Sequence, residues 1–279
     1  MNSYAYRIVN VFAEAPLEGN PLCVFEDGRG LDDATMQALA LQFNLSETTF
    51  LLPSERATAR VRIFTPTFEM PFAGHPTLGS AHVIRTLTNA GDSITLELRA
   101  GIIPVQADGN VWTLQANPPK HRAPAATPAD LAAMLSLDVA DLADAPPLWI
   151  DTGSEQLVIP LASFEAVTRA APKAQALQVH GGNEARAMAY VFARNGDRVL
   201  ARFFFLKHGA VIEDPGTGSA CANLGGWLLA TGANLPQRLS IDQGEAVRRR
   251  CRLGLAVTSD RRIQVAGRVV ELGQGTLRF

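Results

Sequence analysis

The strongest constraint on this chain of 279 residues is a short pattern that occurs twice, half a chain apart. Laid over each other without a gap, His75-Pro76-Thr77-Leu78-Gly79-Ser80-Ala81 and Asp214-Pro215-Gly216-Thr217-Gly218-Ser219-Ala220 share four of seven residues, and Phe64 falls on Phe203. Each copy reads as an apolar strand, a polar connector, an ionisable residue before proline, Gly-Ser-Ala, then a helix. The spacing from 75 to 214 is far longer than the repeat of a solenoid, so it predicts two similar halves. Each half would contribute one ionisable side chain and one helix entrance.

Helix entrances matter because their first backbone N–H groups lack internal partners and carry partial positive charge, which suits an anion. Gly216 and Gly218 would let backbone come close to a ligand. The plainer alternative is an ordinary N-cap, with Ser219 or Thr217 satisfying those donors.

Along the chain, Tyr6 to Phe12 and Leu22 to Phe25 read as strands flanking a turn at Glu18-Gly19-Asn20-Pro21. Asp32 to Phe43 has helical periodicity with Asp32 or Asp33 as cap, and Glu47 stands at the entry of a β-rich run ending at Pro53. Taken alone, Glu47 reads as a solvent-facing strand residue. Helices are expected from Ser80 to Leu87, Pro128 to Leu135, Phe164 to Leu177 and Ala220 to Ala230. Short strands fill much of the rest, including Arg262 to Ala266 and Val269 to Leu272. Paired prolines in Asn117-Pro118-Pro119 interrupt both regular structures, so the domain boundary is placed there: residues 1–118 and 119–279, with the last few residues crossing back. Many strands with one prominent helix per half define the expected class as α+β.

Composition narrows the partners. A net charge of −2 gives no basic field for nucleic acid. The cluster Arg248-Arg249-Arg250 with Arg252 reads as a solvated strand edge. Cys23, Cys221 and Cys251 lack metal-site or disulfide-framework spacing and suit a reducing compartment. There is neither a signal-peptide pattern nor a run of about 18 apolar residues, so a cytoplasmic protein is expected, with no membrane partner.

If the two halves faced one another, His75 and Asp214 and two helix entrances would address one small anionic molecule. The motifs Phe72-Ala73-Gly74-His75-Pro76-Thr77-Leu78-Gly79 and Glu213-Asp214-Pro215-Gly216-Thr217-Gly218-Ser219-Ala220 carry a further identification, joined by Gly19-Asn20-Pro21-Leu22 and Leu45-Ser46-Glu47-Thr48. Together they resemble the phenazine-biosynthesis isomerase (PhzF-like) family, which shares the diaminopimelate epimerase fold. The resemblance spans nearly the whole chain. It implies two pseudo-symmetric α+β domains, each a curved antiparallel sheet or barrel around a central helix, usually a homodimer, working without cofactor or metal. It also implies an isomerase acting on a small carboxylate-bearing substrate. Glu47 would be the acid/base, with Asp214 as a neighbour tuning it. His75, Asp214 and Ser219 would line the site, and Gly74 and Gly218 would supply backbone donors. Epimerases of this fold use two cysteines, which are absent here at Gly74, His75 and Asp214, and Cys221 reads as a packed small residue.

Departures from the family pattern are Gly216, where a bulkier residue is common, and Gln243-Gly244 followed by Arg248-Arg249-Arg250-Cys251 in place of Gly-Arg-Pro-Ser. Other readings of the same residues are weaker. Asp151-Thr152-Gly153-Ser154 resembles an aspartic-protease loop but has no second copy. A Ser219, His75, Asp214 hydrolase lacks the nucleophile elbow. A non-catalytic binding member of the same fold is the alternative to an enzyme.

Overall fold

The fold was taken from a computed structural model, which describes residues 2–183 and 186–279. It divides into two compact units: one runs through Gln115 and takes in Ala266–Phe279, and the other is Ala116–Val265. The first division falls just before the proline pair, because the chain after Pro119 enters a strand of the second unit.

In the first unit the order is β1 (Ser3–Val11), β2 (Asn20–Phe25), α1 (Asp33–Phe43), β3 (Glu47–Leu52), β4 (Ala59–Phe64), β5 (Glu69–Met70), α2 (Gly74–Thr88), β6 (Ser93–Leu98), β7 (Gly101–Asp108) and β8 (Val111–Gln115). The second contains β9 (Lys120–Arg122), α3 (Pro128–Met134), β10 (Leu148–Asp151), β11 (Glu155–Pro160), α4 (Phe164–Arg169), α5 (Ala174–His180), β12 (Met188–Asn195), β13 (Arg198–Lys207), β14 (Ala210–Asp214), α6 (Gly218–Ala230), β15 (Gln237–Gln243) and β16 (Cys251–Val257). A final strand, β17 (Ile263–Arg278), runs on into the first unit.

The first unit is a closed barrel. Its ring of pairings is β1–β2–β3–β4–β6–β7–β8–β17 and back to β1. Most neighbours are antiparallel. β2 with β3 and β4 with β6 are parallel, because α1 and α2 carry the chain back to the same end before the next strand begins. Local chemistry sets α1: Asp32 accepts from the Thr35 N–H at 2.8 Å, and Asn44 closes the other end in the left-handed region. α2 is buried on all sides from His75 to Ile84, as a helix enclosed by a barrel must be. Gly79 permits this: a Cβ there would stand 2.6 Å from Leu22 Cδ2 and 3.0 Å from Val11 Cγ2. The helix starts six residues earlier than its sequence pattern begins, since Pro76 is tolerated in a first turn.

The second unit repeats the strand order. β10–β11 is a hairpin, β11 and β12 are parallel across α4 and α5, β12–β13 and β13–β14 are hairpins, and β13 and β15 are parallel across α6. Its helix is α6, where Cβ atoms on Gly225 and Gly226 would stand 2.7 Å from Ile263 and 2.6 Å from Ile150. The expected helix from Phe164 to Leu177 is two helices. Pro172 disfavours helical backbone at Ala171, and Arg202 Nη1 caps the first piece, donating to the carbonyls of Thr168 at 3.0 Å and Ala170 at 2.7 Å.

A second repeated constellation corrects the strand frame of the repeat. Arg62 bonds Glu69 at 2.8 Å and lies 5.0 Å over Phe64, while Arg202 bonds Glu213 at 2.7 Å and lies 4.7 Å over Phe204. Phe64 faces Glu69 across its ladder and Phe204 faces Glu213, so Phe64 corresponds to Phe204, not Phe203. The second copy takes nine residues from phenylalanine to glutamate against five, then reaches its Gly-Ser-Ala five residues later against ten. The two differences nearly cancel, which is why the sequences align without a gap.

Candidate active site

In the first unit Glu47 opens β3 and His75 lies in the first turn of α2. The parallel pairing of β3 with β2 sets Glu47 beside Leu22, and the helix enters the barrel next to it. His75 Nε2 and Glu47 Oε2 are 3.4 Å apart, with 8% and 15% of their side chains exposed. Burial pushes the His75 imidazole down to about 3, only partly offset by its hydrogen bond to the Pro21 carbonyl. Burial disfavours the imidazolium form, so the 3.4 Å contact joins a neutral ring to the Glu47 side chain. With the ring's N–H spent on Pro21, Nε2 is left as an acceptor facing Glu47.

Neither helix entrance is capped by the side chain of its own N-cap residue, though Gln243 Oε1 accepts from the Thr217 N–H at 3.4 Å. Ala73 precedes α2 and Thr217 precedes α6, and neither accepts a capping hydrogen bond. The N-cap alternative for Thr217 and Ser219 is thus set aside: the Thr217 hydroxyl donates to Asp214 Oδ2 instead. Unpartnered backbone donors in the first turn of a helix have an affinity for anions.

In the second unit Asp214 ends β14, and Pro215-Gly216-Thr217 form a non-helical turn before α6. Gln243, buried at the end of β15, clamps this turn: Nε2 donates to the Asp214 carbonyl at 2.9 Å and to Thr217 Oγ1 at 3.0 Å. Gly244 follows at positive φ, where a Cβ would stand 2.4 Å from the Pro215 carbonyl oxygen. The arginines after it lie in a turn leading to β16, so the expected strand edge there is replaced by a connection between strands. Ser219, half-buried in the first turn of α6, accepts from Gln156 Nε2 at 2.9 Å. Its counterpart Ser80 is fully buried and donates to Thr49 Oγ1 at 2.9 Å.

The structure thus brings Glu47 to His75 within one unit, and Asp214 to Thr217 and Gln243 within the other. Gln243, Gln156 and Asn223 were missed by sequence reasoning. For Gln243 the signal was the Gln-Gly pair itself, whose glycine packs against the Asp214 turn. Cys23 and Cys221 are buried, and burial pushes both thiols up, away from the thiolate a nucleophile needs. Among the described residues no group of three His, Cys, Asp or Glu is arranged to hold a metal ion, and no helix is long and apolar enough to cross a membrane.

Comparison with known proteins agrees with this architecture. The family model described as phenazine biosynthesis-like protein (PhzC-PhzF) matches residues 9–275. An uncharacterized isomerase of Pasteurella multocida is 37% identical, over 99% of this chain and 95% of the relative. The trans-2,3-dihydro-3-hydroxyanthranilate isomerase of Pseudomonas chlororaphis is 34% identical, over 98% of each chain. Among solved structures, a phenazine biosynthesis protein of the PhzF family from Bacillus anthracis superposes with a TM-score of 0.89 at 25% identity, covering 100% of both chains.

Proposed function

Because this chain belongs to the phenazine biosynthesis-like (PhzC-PhzF) family, we propose that it is a cofactor-independent isomerase that moves a proton on a small carboxylate-bearing substrate, with Glu47 as the proton carrier. The observation that carries this reading is the buried contact at 3.4 Å between Glu47 and a His75 ring that burial keeps neutral. In its ionised form Glu47 would take a proton from one substrate carbon, the electrons would shift along the adjacent double bond, and the protonated carboxyl would return the proton to another carbon. Substrate and product have the same atoms and oxidation level, so the step requires neither a redox partner nor a leaving group. Neutral His75 would orient Glu47 and hold its proton between the two transfers.

Gly74 at the entrance of α2, and Gly218 and Ser219 at the entrance of α6, would each offer backbone or hydroxyl donors suited to a substrate carboxylate. Asp214, held by Thr217, would orient a polar group of the substrate. The names of relatives support a cyclic hydroxylated amino acid such as trans-2,3-dihydro-3-hydroxyanthranilate as the first candidate. Buried cysteines that form no disulfide among the described residues support a reducing, cytoplasmic setting, and the family resemblance supports a homodimer.

The test uses that compound with the purified protein in D2O. Wild type should incorporate solvent deuterium into product, and Glu47→Gln should lose turnover and exchange by more than a thousandfold while still binding. Full activity in Glu47→Gln would end the assignment of Glu47. Binding by wild type without any exchange would make the protein a binder instead of an enzyme.

A further inference from the structure

The loop Asp151-Thr152-Gly153-Ser154, which reads superficially as a protease motif, anchors a chain of buried side chains that ends at Ser219. Asn223 lies on α6 one turn after Ser219 and is fully buried. Its Oδ1 accepts from the Thr152 backbone N–H at 3.0 Å and from Thr152 Oγ1 at 2.7 Å. Its Nδ2 donates to the Ser154 carbonyl at 2.9 Å and to Gln156 Oε1 at 2.8 Å. Gln156, 2% exposed, then donates from Nε2 to Ser219 Oγ at 2.9 Å.

The direction of this chain is dictated by backbone. A peptide N–H can only donate and a peptide carbonyl can only accept, so Thr152 and Ser154 together fix which end of the Asn223 amide is oxygen. Turning that amide over would set N–H against N–H and oxygen against oxygen in a site without water access, a cost the fold cannot absorb. Asn223 in turn fixes Gln156, and Gln156 fixes Ser219 as an acceptor toward the protein interior. The hydroxyl proton of Ser219 is then unspent: it makes no second hydrogen bond among the described residues. The first copy of the repeat has no such arrangement, since Ser80 gives its proton to Thr49.

We propose that Thr152, Asn223 and Gln156 form a hydrogen-bond chain of fixed polarity that presents Ser219 as an obligate donor, making them positioning residues that select a carboxylate or carbonyl oxygen. This rests on the reading above in which Ser219 contacts the substrate carboxylate.

The test is a double-mutant cycle at pH 8, read as the Kd of 3-hydroxyanthranilate, the aromatic counterpart of the relatives' substrate. Ser219→Ala should weaken binding by about tenfold to a hundredfold, the loss of one hydrogen bond to a charged group. Gln156→Glu, nearly identical in shape, offers two acceptor oxygens, so Ser219 would turn its proton inward; binding should fall by a similar factor. Adding Ser219→Ala to Gln156→Glu should then cost less than about threefold more. Gln156→Met, which removes two hydrogen bonds but leaves the Ser219 proton free, should bind more tightly than Gln156→Glu. A merely structural role for Gln156 gives the reverse order. Wild-type affinity in Gln156→Glu overturns the proposal, as does an undiminished Ser219→Ala penalty in that background, which would trace the loss to added charge. Should Gln156→Glu not fold, binding by Gln156→Met as weak as that of Ser219→Ala overturns it equally. Wild type that binds no carboxylate probe overturns the functional reading and this proposal with it.

Discussion

His75 provides a test of the site that needs no substrate. Burial takes its imidazole from the ordinary 6.5 down to about 3, so below pH 6.5 the unfolded chain binds a proton that the folded protein refuses. Stability therefore rises with pH through this window, is fully present above 6.5, and is lost progressively as pH falls toward 3. Each pH unit inside the window is worth about 1.4 kcal/mol. Going from pH 8 to pH 4.5 should cost roughly 2.5 kcal/mol through His75 alone, a large share of the ~5–15 kcal/mol that holds an ordinary domain. The perturbation is His75→Gln, which removes the titration but keeps a polar group of similar reach. Urea unfolding of both proteins at pH 8, 6, 5 and 4.5 gives the difference between them. Contributions from groups that do not touch His75, including buried His82, cancel in that difference, and the part from Glu47 beside it is isolated by repeating the pair in a Glu47→Gln background. The wild-type advantage should shrink by roughly 2.5 kcal/mol across the series, and the His75 ring resonances in an NMR titration should stay those of a neutral imidazole down to pH 4.5. A difference that does not change with pH refutes the reasoning. A ring that titrates at or above 6.5 refutes it more pointedly, because burial would then not be holding the imidazole neutral.

Arg202→Met should destabilise the second unit by about 3 kcal/mol or more, because it leaves Glu213 buried without its partner and uncaps α4; Arg198→Met, whose pair with Asp242 is exposed, should cost less than about 1 kcal/mol. Equal urea midpoints for the two variants would contradict the difference in burial. For the homodimer, light scattering on the eluting protein should give the mass of two chains, and a single-chain mass at micromolar concentration would overturn that assembly.

The sequence made the fold legible because a buried helix leaves an unusual record. A helix enclosed by a barrel must be small where strands pass close to it, and Gly79, Ser80 and Ala81 are the written form of that contact, as are Gly225 and Gly226. The strands that carry the helix were legible only to within a residue. Hairpin length and connector length changed in opposite directions between the copies, and a gap-free alignment hides such compensation; the Arg–Phe–Glu constellation, which depends on ladder register, exposes it. Glu47 could be singled out by resemblance alone. Its type and position on a strand are ordinary, and what distinguishes it is a helix arriving from elsewhere with His75 in its first turn.

The polar chain behind Ser219 was illegible for a different reason. Its members are linked across 63 to 71 residues of sequence, and its meaning lies in the direction of each hydrogen bond, which residue types alone do not specify. That direction comes from two backbone groups of a turn. It also separates the two halves of the repeat. The serine of the first copy is sealed in the barrel and spends its proton on Thr49, while that copy supplies the Glu47–His75 pair. On the proposal above, the serine of the second copy keeps its proton for a ligand. Duplication gives two equivalent helix entrances, and the proposed division, proton transfer at one and oxygen recognition at the other, would follow from which side chains stand behind each serine.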